Sequence, residues 1–372
     1  MSQKAKICHL STVHRAFDTR VFHKECVTLA REGYDVSLVI SHDKQEMVDG
    51  VKIVPLSMKK NRLFRVTVKM WQGFFKALST KAKIVHIHDP ELLIVGLWLK
   101  IFGRRVVFDM HELVYNQIAD KKWLGGGFFN KMAARTYGIF EKRALKRFDA
   151  FFLAEDGYFD YFQKKYPNYL NKLAFVRNYP RFEMVDSISP QTKSKERLIL
   201  IYAGGLTKIR GIKEVCDAVK EFEDVELWLM GRWQTPEYKR SCLEGNSNVV
   251  NFDLIPLQEV YEKMKMAHVG ISTLYPVKNY LTSLPVKSFE YMYCELPMIM
   301  SDFPLWEEIF ADCAQFVDPY SSDSIKEAIQ FYVDNKDGIP KIGEKAKKDA
   351  ATNYNWEKEL ETIQKHYQLM LS

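Results

Sequence analysis

Short apolar runs rich in Val, Ile, Leu and Phe alternate with helical patterns along all 372 residues. The runs are nearly continuous, which is typical of strands buried on both faces of a parallel sheet. They predict strands at residues 6–12, 35–42, 51–57, 84–90, 105–110, 150–154, 173–177, 198–204, 225–230, 249–254, 269–274, 297–301 and 314–317. Strand–helix alternation in both halves predicts an α/β protein with two doubly wound, Rossmann-like domains.

A polar segment at residues 179–196 contains two prolines and interrupts the alternation. Its lack of periodicity predicts a linker between a first domain, residues 1–178, and a second domain, residues 197–355. Residues 356–372 are predicted to form a helix. Ligands of open α/β sheets bind beyond the carboxyl ends of the strands, so we expect functional residues in loops that follow strands and face a central cleft.

Composition excludes several classes of protein. Hydrophobic residues make up 47% of the chain and charged residues 27%, fractions that do not fit a disordered or fibrous protein. The longest apolar run, residues 92–99, is too short to span a membrane, and the N-terminus has no signal-peptide pattern. Six cysteines without C-x-x-C spacing favour a reducing, cytoplasmic location and no structural zinc.

Positive charge is concentrated in the first half. Residues 1–178 hold 31 Lys and Arg against 17 Asp and Glu, whereas the rest of the chain holds 23 against 30. This asymmetry indicates an anionic partner. No DNA- or RNA-binding motif is present, so we expect no nucleic acid partner.

Residues 62–78 fit one amphipathic helix. Its cations, expected on one narrow arc, are Arg62, Arg65, Lys69 and Lys76, and its apolar residues, expected on the opposite side, are Phe64, Val68, Trp71, Phe75 and Leu78. We predict that the apolar side enters the core and that the cations adsorb weakly to an anionic membrane surface.

The most specific motif is L-P-V-K-S-F-E-Y at residues 284–291, in which Pro285 precedes a predicted helix. Unbonded N–H groups of a first helical turn attract anions, and Lys287 lies in that turn. A carboxylate at Glu290 is suited to accept hydrogen bonds from two neighbouring sugar hydroxyls. The alternative is a surface helix with a solvated Glu and Lys.

A glycine pair ends a strand in Y-A-G-G-L-T-K-I-R-G, residues 202–211. Glycine lets the backbone approach a ligand closely, and Lys208 and Arg210 could neutralise a diphosphate without a metal. Gly231, after the next strand, suits a similar turn. Solvated cations in an ordinary strand–turn–helix are the alternative.

In the first half, V-H-I-H-D-P-E-L at residues 85–92 places His86 and His88 on one strand face. No third ligand has convincing spacing, so we expect no metal site. Asp89 and Glu91 fall at the carboxyl end of this strand, where ligand-binding groups are expected.

His111 follows the next strand, in F-D-M-H-E, and suits a hydrogen bond to a sugar hydroxyl or a structural role. His14, Asp18 and Arg20 lie in the loop after the first strand, where a ligand would meet them. Capping of the following helix explains Asp18 equally well.

Several enzyme classes lack their motifs here. G-x-S-x-G and H-E-x-x-H are absent, and the first strand is not followed by G-x-G-x-x-G. Serine hydrolases of the α/β type, zinc proteases and dehydrogenases are therefore disfavoured.

Taken together, the motifs resemble the retaining glycosyltransferases of family 4, which have the GT-B fold, and most closely their bacterial surface-polysaccharide branch. The matching segments are D-T-R-V-F-H-K-E at 18–25, H-I-H-D-P-E-L-L at 86–93, F-D-M-H-E at 108–112, Y-A-G-G-L-T-K-I-R-G at 202–211 and P-V-K-S-F-E-Y-M at 285–292. The resemblance spans nearly the whole chain.

This resemblance implies transfer of a sugar, with retention, from a UDP- or GDP-linked donor to a glycan or lipid-linked acceptor, without cofactor or metal. It assigns Glu290 to the ribose, Arg210 to the diphosphate, Gly231 and Ile255 to the diphosphate and base, and His111 to the donor sugar. We expect catalysis from His111, Arg210 and Lys287. The acceptor-side residues are expected to be His14, Asp18, Arg20, Asp89 and Glu91.

The chain departs from the family pattern in two places. Thr282 stands where many members have a second glutamate, so Thr282, Ser283 or backbone must contact the donor sugar. Gly205 replaces an arginine, and Lys208 or Lys287 would supply the missing charge.

Two other functions stay open. One is a GT-B relative that epimerises or hydrolyses the nucleotide sugar itself, and the other is a non-enzymatic protein that binds anionic polymers. For the transferase, we expect a cytoplasmic protein at the inner face of the cell membrane.

Overall fold

The computed structural model describes residues 5–59, 61–114, 128–277 and 280–372. The chain forms two compact units. The first contains Met1–Asn178 and Trp356–Ser372, and the second contains Tyr179–Asn355.

Within the described residues, the first unit is built on an eight-stranded sheet with the order β3-β4-β2-β1-β5-β6-β7-β8. Neighbouring strands are parallel except for β3, which pairs antiparallel with β4. The strands are β1 (Lys6–Leu10), β2 (Asp35–Ser41), β3 (Glu46–Val48), β4 (Val51–Leu56), β5 (Ile84–Ile87), β6 (Arg105–Met110), β7 (Ala150–Leu153) and β8 (Leu173–Phe175).

Helices cover both faces of this sheet. Helix α1 has a π-helical part and an α-helical part, and α2 has a π-helical stretch between two α-helical ones. The bounds are α1 (Thr19–Cys26, then Val27–Arg31), α2 (Arg62–Phe64, Arg65–Lys69 and Met70–Ser79), α3 (Leu93–Ile101), α4 (Phe128–Arg147) and α5 (Gly157–Lys165). Short 3₁₀ turns lie at Pro90–Leu92 and Pro167–Lys172.

The C-terminal helix of the chain, α14 (Trp356–Leu371), belongs to the first unit. Its Trp356, Ile363 and Tyr367 are buried in one core with residues of α1 and β2. Helices α2, α3 and α4 contribute to the core on the other side of the sheet.

The second unit has a parallel sheet of six strands in the order β11-β10-β9-β12-β13-β14 among the residues described. The strands are β9 (Leu198–Ala203), β10 (Val225–Met230), β11 (Val249–Asp253), β12 (Val269–Ser272), β13 (Met298–Ser301) and β14 (Ala314–Val317). The helices are α6 (Glu183–Asp186), α7 (Ile212–Val219), α8 (Pro236–Leu243), α9 (Leu257–Met266), α10 (Val286–Tyr293), α11 (Pro304–Phe310), α12 (Ser322–Asp334) and α13 (Ile339–Asn353), with 3₁₀ turns at Lys208–Arg210 and Lys336–Gly338.

The predicted fold class is confirmed, because both units are α/β with parallel sheets. Every predicted strand overlaps an observed one. Strand β3 was not predicted, since three residues without a buried position leave no apolar run.

Residues 179–196 do not form the separate linker that we predicted. Tyr179, Phe182, Val185 and Ile188 are buried in a core of the second unit. The regular spacing of these four apolar residues, three positions apart, attaches the segment to that unit despite its prolines.

The predicted orientation of helix α2 is wrong. Val68, Trp71 and Phe75 are exposed, whereas Met70 and Phe74 are buried. The helix has two neighbouring apolar stripes, and the stripe that contains Gly73 packs into the core. A Cβ atom on Gly73 would lie only 3.0 Å from the Leu10 side chain on β1, so the absence of a side chain there allows the close packing.

The cations of α2 are correspondingly turned inward. The Lys69 ammonium is buried and donates to Ser41 Oγ at 2.9 Å, and Lys76 donates to the Pro55 carbonyl at 2.5 Å. Arg65 Nε lies 2.8 Å from Glu91 Oε1. The side chain of Arg62 lies outside the described residues. The expected cationic arc toward a membrane is therefore not available on this helix.

Candidate functional site

In the second unit, the loops after β9 and β10 are pressed together at two glycines. Gly204 and Gly231 have φ values of 146° and 144°, in the region that favours glycine. A Cβ atom on Gly231 would lie 1.7 Å from the Gly204 carbonyl oxygen. A side chain at Gly231 would therefore collide with the backbone of the β9 loop. Gly204 is exposed at the carboxyl end of the sheet, whereas Gly231 is buried.

Two cations flank the glycine pair that ends β9. The Lys287 ammonium lies 3.2 Å from the Cβ position of Gly204 and 3.7 Å from the Tyr202 ring centroid. Arg210 Nε lies 3.9 Å from the Cβ position of Gly205. Burial and the nearby Arg210 guanidinium hold the pKa of Lys287 well below its ordinary value. An anionic ligand would offset the repulsion between these two side chains and the cost of burying the Lys287 charge.

Helix α10 positions Lys287 and Glu290. Pro285 precedes the helix in an extended conformation, and no side chain caps the first turn. The N–H groups of that turn are consequently suited to an anion. Glu290 Oε1 accepts a hydrogen bond from the Tyr261 hydroxyl at 2.9 Å, which orients the carboxylate.

The other predicted donor-binding residues lie in loops that follow β9, β11 and β12. Lys208 is exposed, and its backbone N–H donates to Gln234 Oε1. Ile255, beyond β11, is half-buried. Thr282 is exposed, and the Ser283 carbonyl accepts a bond from Trp306 Nε1 at 2.8 Å. Thr282 thus has a hydroxyl open to solvent, whereas Ser283 contributes part of its backbone to the fold.

In the first unit, Asp89 organises the loop after β1. Its Oδ2 accepts hydrogen bonds from Ser11 Oγ at 2.9 Å and from the Thr12 N–H at 2.6 Å, and the carboxylate is buried. Glu91 accepts from Thr12 Oγ1 and pairs with Arg65. Asp89 supports the loop from below, which corrects its predicted contact with an acceptor.

Asp18 caps helix α1, as the alternative interpretation held. Its Oδ1 accepts from the N–H groups of Arg20 and Val21 at 2.9 and 3.0 Å. Its Oδ2 lies 3.6 Å from His14 Nδ1. Burial alone would lower the pKa of His14. The hydrogen bond with Asp18 and the charge of Asp89 outweigh burial, so the pKa of His14 is raised.

Arg20 is buried and cannot contact an acceptor as predicted. Its guanidinium bonds both oxygens of Asp109 on β6 at 3.0 Å and donates to the Val176 carbonyl at 2.7 Å. Burial opposes ionisation of Asp109, but Arg20 and His111 hold its pKa well below the ordinary value. This ion pair fixes helix α1 to the centre of the sheet.

His111 lies above this pair at the carboxyl end of β6. His111 Nε2 is 3.2 Å from Asp109 Oδ2 and 3.3 Å from His88 Nδ1. The His14 and His111 rings are 5.1 Å apart between centroids, and both side chains are partly exposed. Both imidazoles are oriented by neighbouring carboxylates, His14 by the partly exposed Asp18 and His111 by the buried Asp109.

A buried cluster beneath them has the donor types of a metal site. Ligand atoms of His9, Glu25, His86 and His88 all lie within 4.8 Å of one another, and His88, Asp109 and His111 form a second such group. Sequence spacing alone did not reveal His9 and Glu25, which come from β1 and α1.

Imidazoles and a carboxylate suit zinc by type, but the charges here do not. The Arg20 guanidinium lies 3.2 Å from Glu25 Oε1, and burial together with the charge of Asp109 raises the pKa of Glu25 well above its ordinary value. Burial lowers the pKa of His88 to about 4, which keeps its imidazole in the neutral, metal-ligating form, but Glu25 and Arg20 do not favour a bound cation. A neutral carboxyl beside a fixed cation is a poor cation ligand, and we assign no metal to this cluster.

Some contributors to both sites had no sequence signal. Tyr261 reaches Glu290 from helix α9, 29 positions away, and Asp109 meets Arg20 across 89 positions. Asp109 belongs to the F-D-M-H-E motif, but only the structure identifies its partner. Tyr202 at the end of β9 is likewise identified by its ring contact with Lys287.

Two parallel α/β units of this kind define the GT-B class of fold, and solved structures of that class superpose on the chain. Sucrose-phosphate synthase from Thermosynechococcus elongatus gives a TM-score of 0.72 at 15% identity, with 99% of each chain covered. WaaG, a glycosyltransferase involved in lipopolysaccharide biosynthesis, gives 0.66 at 16% identity, covering 96% of this chain and 99% of its own. Anabaena HepE in complex with UDP and glucose gives 0.67 at 11% identity, covering 98% and 100%.

Sequence families identify the chain more specifically. Residues 19–170 match the family described as glycosyl transferase 4-like domain, and residues 185–349 match glycosyl transferases group 1. The chain therefore belongs to the group 1 glycosyltransferases of the family 4 type, as the motifs predicted. No curated protein matches the sequence significantly.

Proposed function

We propose that this glycosyltransferase moves a sugar, with retention of anomeric configuration, from a UDP- or GDP-linked donor to a hydroxyl of a glycan or lipid-linked acceptor. The observation that carries the proposal is the pair of cations beside the Gly204–Gly205 backbone. Lys287 Nζ lies 3.2 Å from the Cβ position of Gly204, and Arg210 Nε lies 3.9 Å from that of Gly205. Glu290, on the same helix as Lys287, raises the pKa of Lys287, but burial and Arg210 outweigh it and lower that pKa. A diphosphate would offset the repulsion between Lys287 and Arg210 and keep the buried Lys287 ammonium charged.

Each group has a distinct task in the proposal. Arg210 is suited to bidentate contact with the diphosphate and Lys287 to a point-charge contact. Glu290, oriented by Tyr261, accepts hydrogen bonds from the ribose hydroxyls. Gly205 and Gly231 admit the diphosphate to the backbone, and the base lies toward Ile255. Thr282 and Ser283 are assigned to the donor sugar.

The proposed chemistry is a front-side displacement. The bond between the anomeric carbon and the diphosphate oxygen breaks, and the acceptor oxygen bonds to the same face of that carbon. The acceptor proton passes to the departing diphosphate oxygen. Lys287 and Arg210 stabilise the charge that develops on the leaving group, so catalysis rests on positioning and electrostatics. His111 is assigned to the donor sugar, and no metal or cofactor takes part.

Nucleotide release with and without acceptor tests this function. We expect UDP- or GDP-sugars to raise the melting temperature, since a ligand at 100 times its dissociation constant adds about 2.7 kcal/mol. Nucleotide release should depend on acceptor, and the product should keep the donor's anomeric configuration by NMR. Release or isomerisation that is fast without acceptor would identify the epimerase or hydrolase alternative.

Replacing Arg210 by Ala should slow transfer by about 100-fold, because a charge that stabilises the leaving group is lost. Arg240→Ala, at an exposed position on helix α8, is the matched control and should be neutral. EDTA should leave the rate of the wild type unchanged. A strict requirement for added Mg²⁺ or Mn²⁺ would contradict the proposed role of the two cations.

We further propose that the enzyme works on bacterial surface polysaccharide at the inner face of the cell membrane, where lipid-linked acceptors are found. The excess of Lys and Arg in the first half of the chain supports this location. In the described part of the chain, no helix is long and apolar enough to cross a bilayer. Association at the surface is the form of membrane contact that we propose.

A further inference from the structure

We infer that Tyr202 is a positioning residue, which holds the two cations Lys287 and Arg210 where the diphosphate of the donor would contact them. This inference rests on the proposed function and deepens it. Tyr202 is the penultimate residue of β9, two positions before Gly204. Only 1% of Tyr202 is exposed, so it acts through the two cations and does not touch the donor itself.

The Lys287 ammonium lies over the ring of Tyr202. Its Nζ atom is 3.7 Å from the ring centroid, a distance at which the electron-rich face of an aromatic ring attracts a cation. Burial and the Arg210 charge disfavour the charged form of Lys287, and the lowered pKa of Lys287 reflects both. The ring opposes these two effects. Because the ring has no net charge, it holds the ammonium without neutralising it, and the positive charge stays available to a diphosphate.

An ion pair between Lys287 and Glu290 is the arrangement that this contact disfavours. The two residues are three positions apart on α10, a spacing at which lysine and glutamate side chains attract each other. Such a pair would occupy both the cation proposed for the diphosphate and the carboxylate proposed for the ribose. The Tyr202 ring gives Lys287 an uncharged partner on β9, and the Tyr261 hydroxyl gives Glu290 one on α9.

The hydroxyl of Tyr202 serves the other cation and the glycine turn. It donates to the Gly205 carbonyl at 3.0 Å, which ties the turn to β9. Burial raises the pKa of Tyr202 to about 12, and the charge of Arg210 and a hydrogen bond from its side chain oppose this rise. The guanidinium therefore lies within reach of the hydroxyl. One side chain contacts Lys287 through its ring and Arg210 through its oxygen.

Gly204 makes this arrangement possible. A Cβ atom at this position would lie 3.2 Å from Lys287 Nζ and 3.2 Å from the Tyr202 hydroxyl oxygen, closer than ordinary van der Waals contact. The absence of a side chain leaves the space in which the ammonium and the phenol meet.

A purely structural tyrosine is the alternative, because Tyr202 also packs in a core of the second unit with Leu200 and Leu206. A structural role requires a side chain that fills this space. A positioning role requires in addition that the ring acts through Lys287 and the hydroxyl through Arg210. The two roles therefore differ in how they affect binding of the diphosphate alone.

The test compares nucleoside diphosphates with nucleosides. Titration calorimetry of the full chain measures the affinity for UDP and GDP, and ligand-observed NMR measures the affinity for uridine and guanosine, which lack the diphosphate. Tyr202→Leu removes the ring and the hydroxyl, so it should weaken diphosphate binding about tenfold and leave nucleoside binding unchanged. Tyr202→Phe keeps the ring, and we expect a loss of about threefold. Equal losses for diphosphate and nucleoside would overturn the positioning role.

A double-mutant cycle asks whether the ring acts through Lys287. In a Lys287→Met protein the ring has no cation to hold, so Tyr202→Leu should cost only the share of the hydroxyl, about threefold. The full loss in both backgrounds would contradict the inference. Tyr332→Leu is the matched control, because Tyr332 is also 1% exposed in the second unit and donates to the Met298 carbonyl at 2.9 Å. It should lower the melting temperature and leave diphosphate affinity unchanged.

Lys287→Met alone reports on the proposed function. If it weakens UDP or GDP binding while Tyr202→Leu does not, Tyr202 has no positioning role and the proposed donor site stands. If Lys287→Met leaves diphosphate binding unchanged, the diphosphate assignment fails and the role of Tyr202 fails with it. Should Tyr202→Leu not fold, Tyr202→Phe decides, and wild-type diphosphate affinity in that variant would overturn the role of the hydroxyl.

Discussion

Replacing Glu290 by Ala is expected to abolish useful donor affinity while leaving the second unit folded. In the proposed complex the carboxylate accepts hydrogen bonds from two ribose hydroxyls, and each bond to a charged group contributes about 1.5–3 kcal/mol. Loss of both raises the dissociation constant by at least about 100-fold. Titration calorimetry with UDP and GDP measures the change.

Two further variants make this test specific. Glu259→Ala removes an exposed carboxylate from helix α9 and should leave nucleotide affinity unchanged. Tyr261→Phe removes the hydroxyl that donates to Glu290 Oε1, so we expect a smaller loss through poorer orientation of the carboxylate. Wild-type affinity in a Glu290→Ala protein with an unchanged melting temperature would refute the ribose assignment.

The strands could be predicted from the sequence because most are buried on both faces, which leaves an unmistakable apolar run. The orientation of α2 could not, because its two apolar stripes are both plausible core faces. Only the packing of Gly73 against Leu10 selects between them. The segment after Asn178 was misassigned because polar residues and prolines obscure four apolar residues at regular spacing.

The same limit applies to the sites: local motifs could be predicted from the sequence, but contacts between distant segments could not. Lys287 and Glu290 follow Pro285 within one helical segment, so local sequence was enough to propose them. The partner of Arg20 could not be proposed, since Asp109 is brought to it by the order of strands in the sheet. A residue at a strand end can face a ligand or the core, and sequence does not separate these outcomes. The side chains of Arg20 and Asp89 are both buried in the core.

Buried histidines and buried carboxyls of the first unit are expected to have opposite effects on its stability between pH 6.5 and 5. Burial lowers the pKa of His9 and His86 well below 6.5 and that of His88 to about 4. In this range the three histidines therefore bind protons in the unfolded chain but not in the folded unit. Glu25, Glu155 and Glu359 act in the opposite direction. Burial raises the pKa of Glu25 well above 4.5, that of Glu155 to about 7 and that of Glu359 to about 6, so the folded unit keeps protons that the unfolded chain releases above pH 4.5.

The two sets nearly cancel, so the free energy of unfolding of the wild type should change little over this range, and loss of one buried imidazole should unbalance it by about 1.4 kcal/mol per pH unit. Asp109 does not contribute here, since its lowered pKa affects stability only below pH 3.8. Urea unfolding at pH 7, 6 and 5, followed by hydrogen exchange in peptides of β1 and β5, measures this slope. His9→Gln should reduce it by one proton, whereas His23→Gln, at an exposed position of helix α1, should not change it. The second unit is an internal reference, because His268, with a pKa lowered to about 4, supplies one such proton there. Equal slopes for wild type and His9→Gln would mean that the buried imidazoles are already charged in the folded unit.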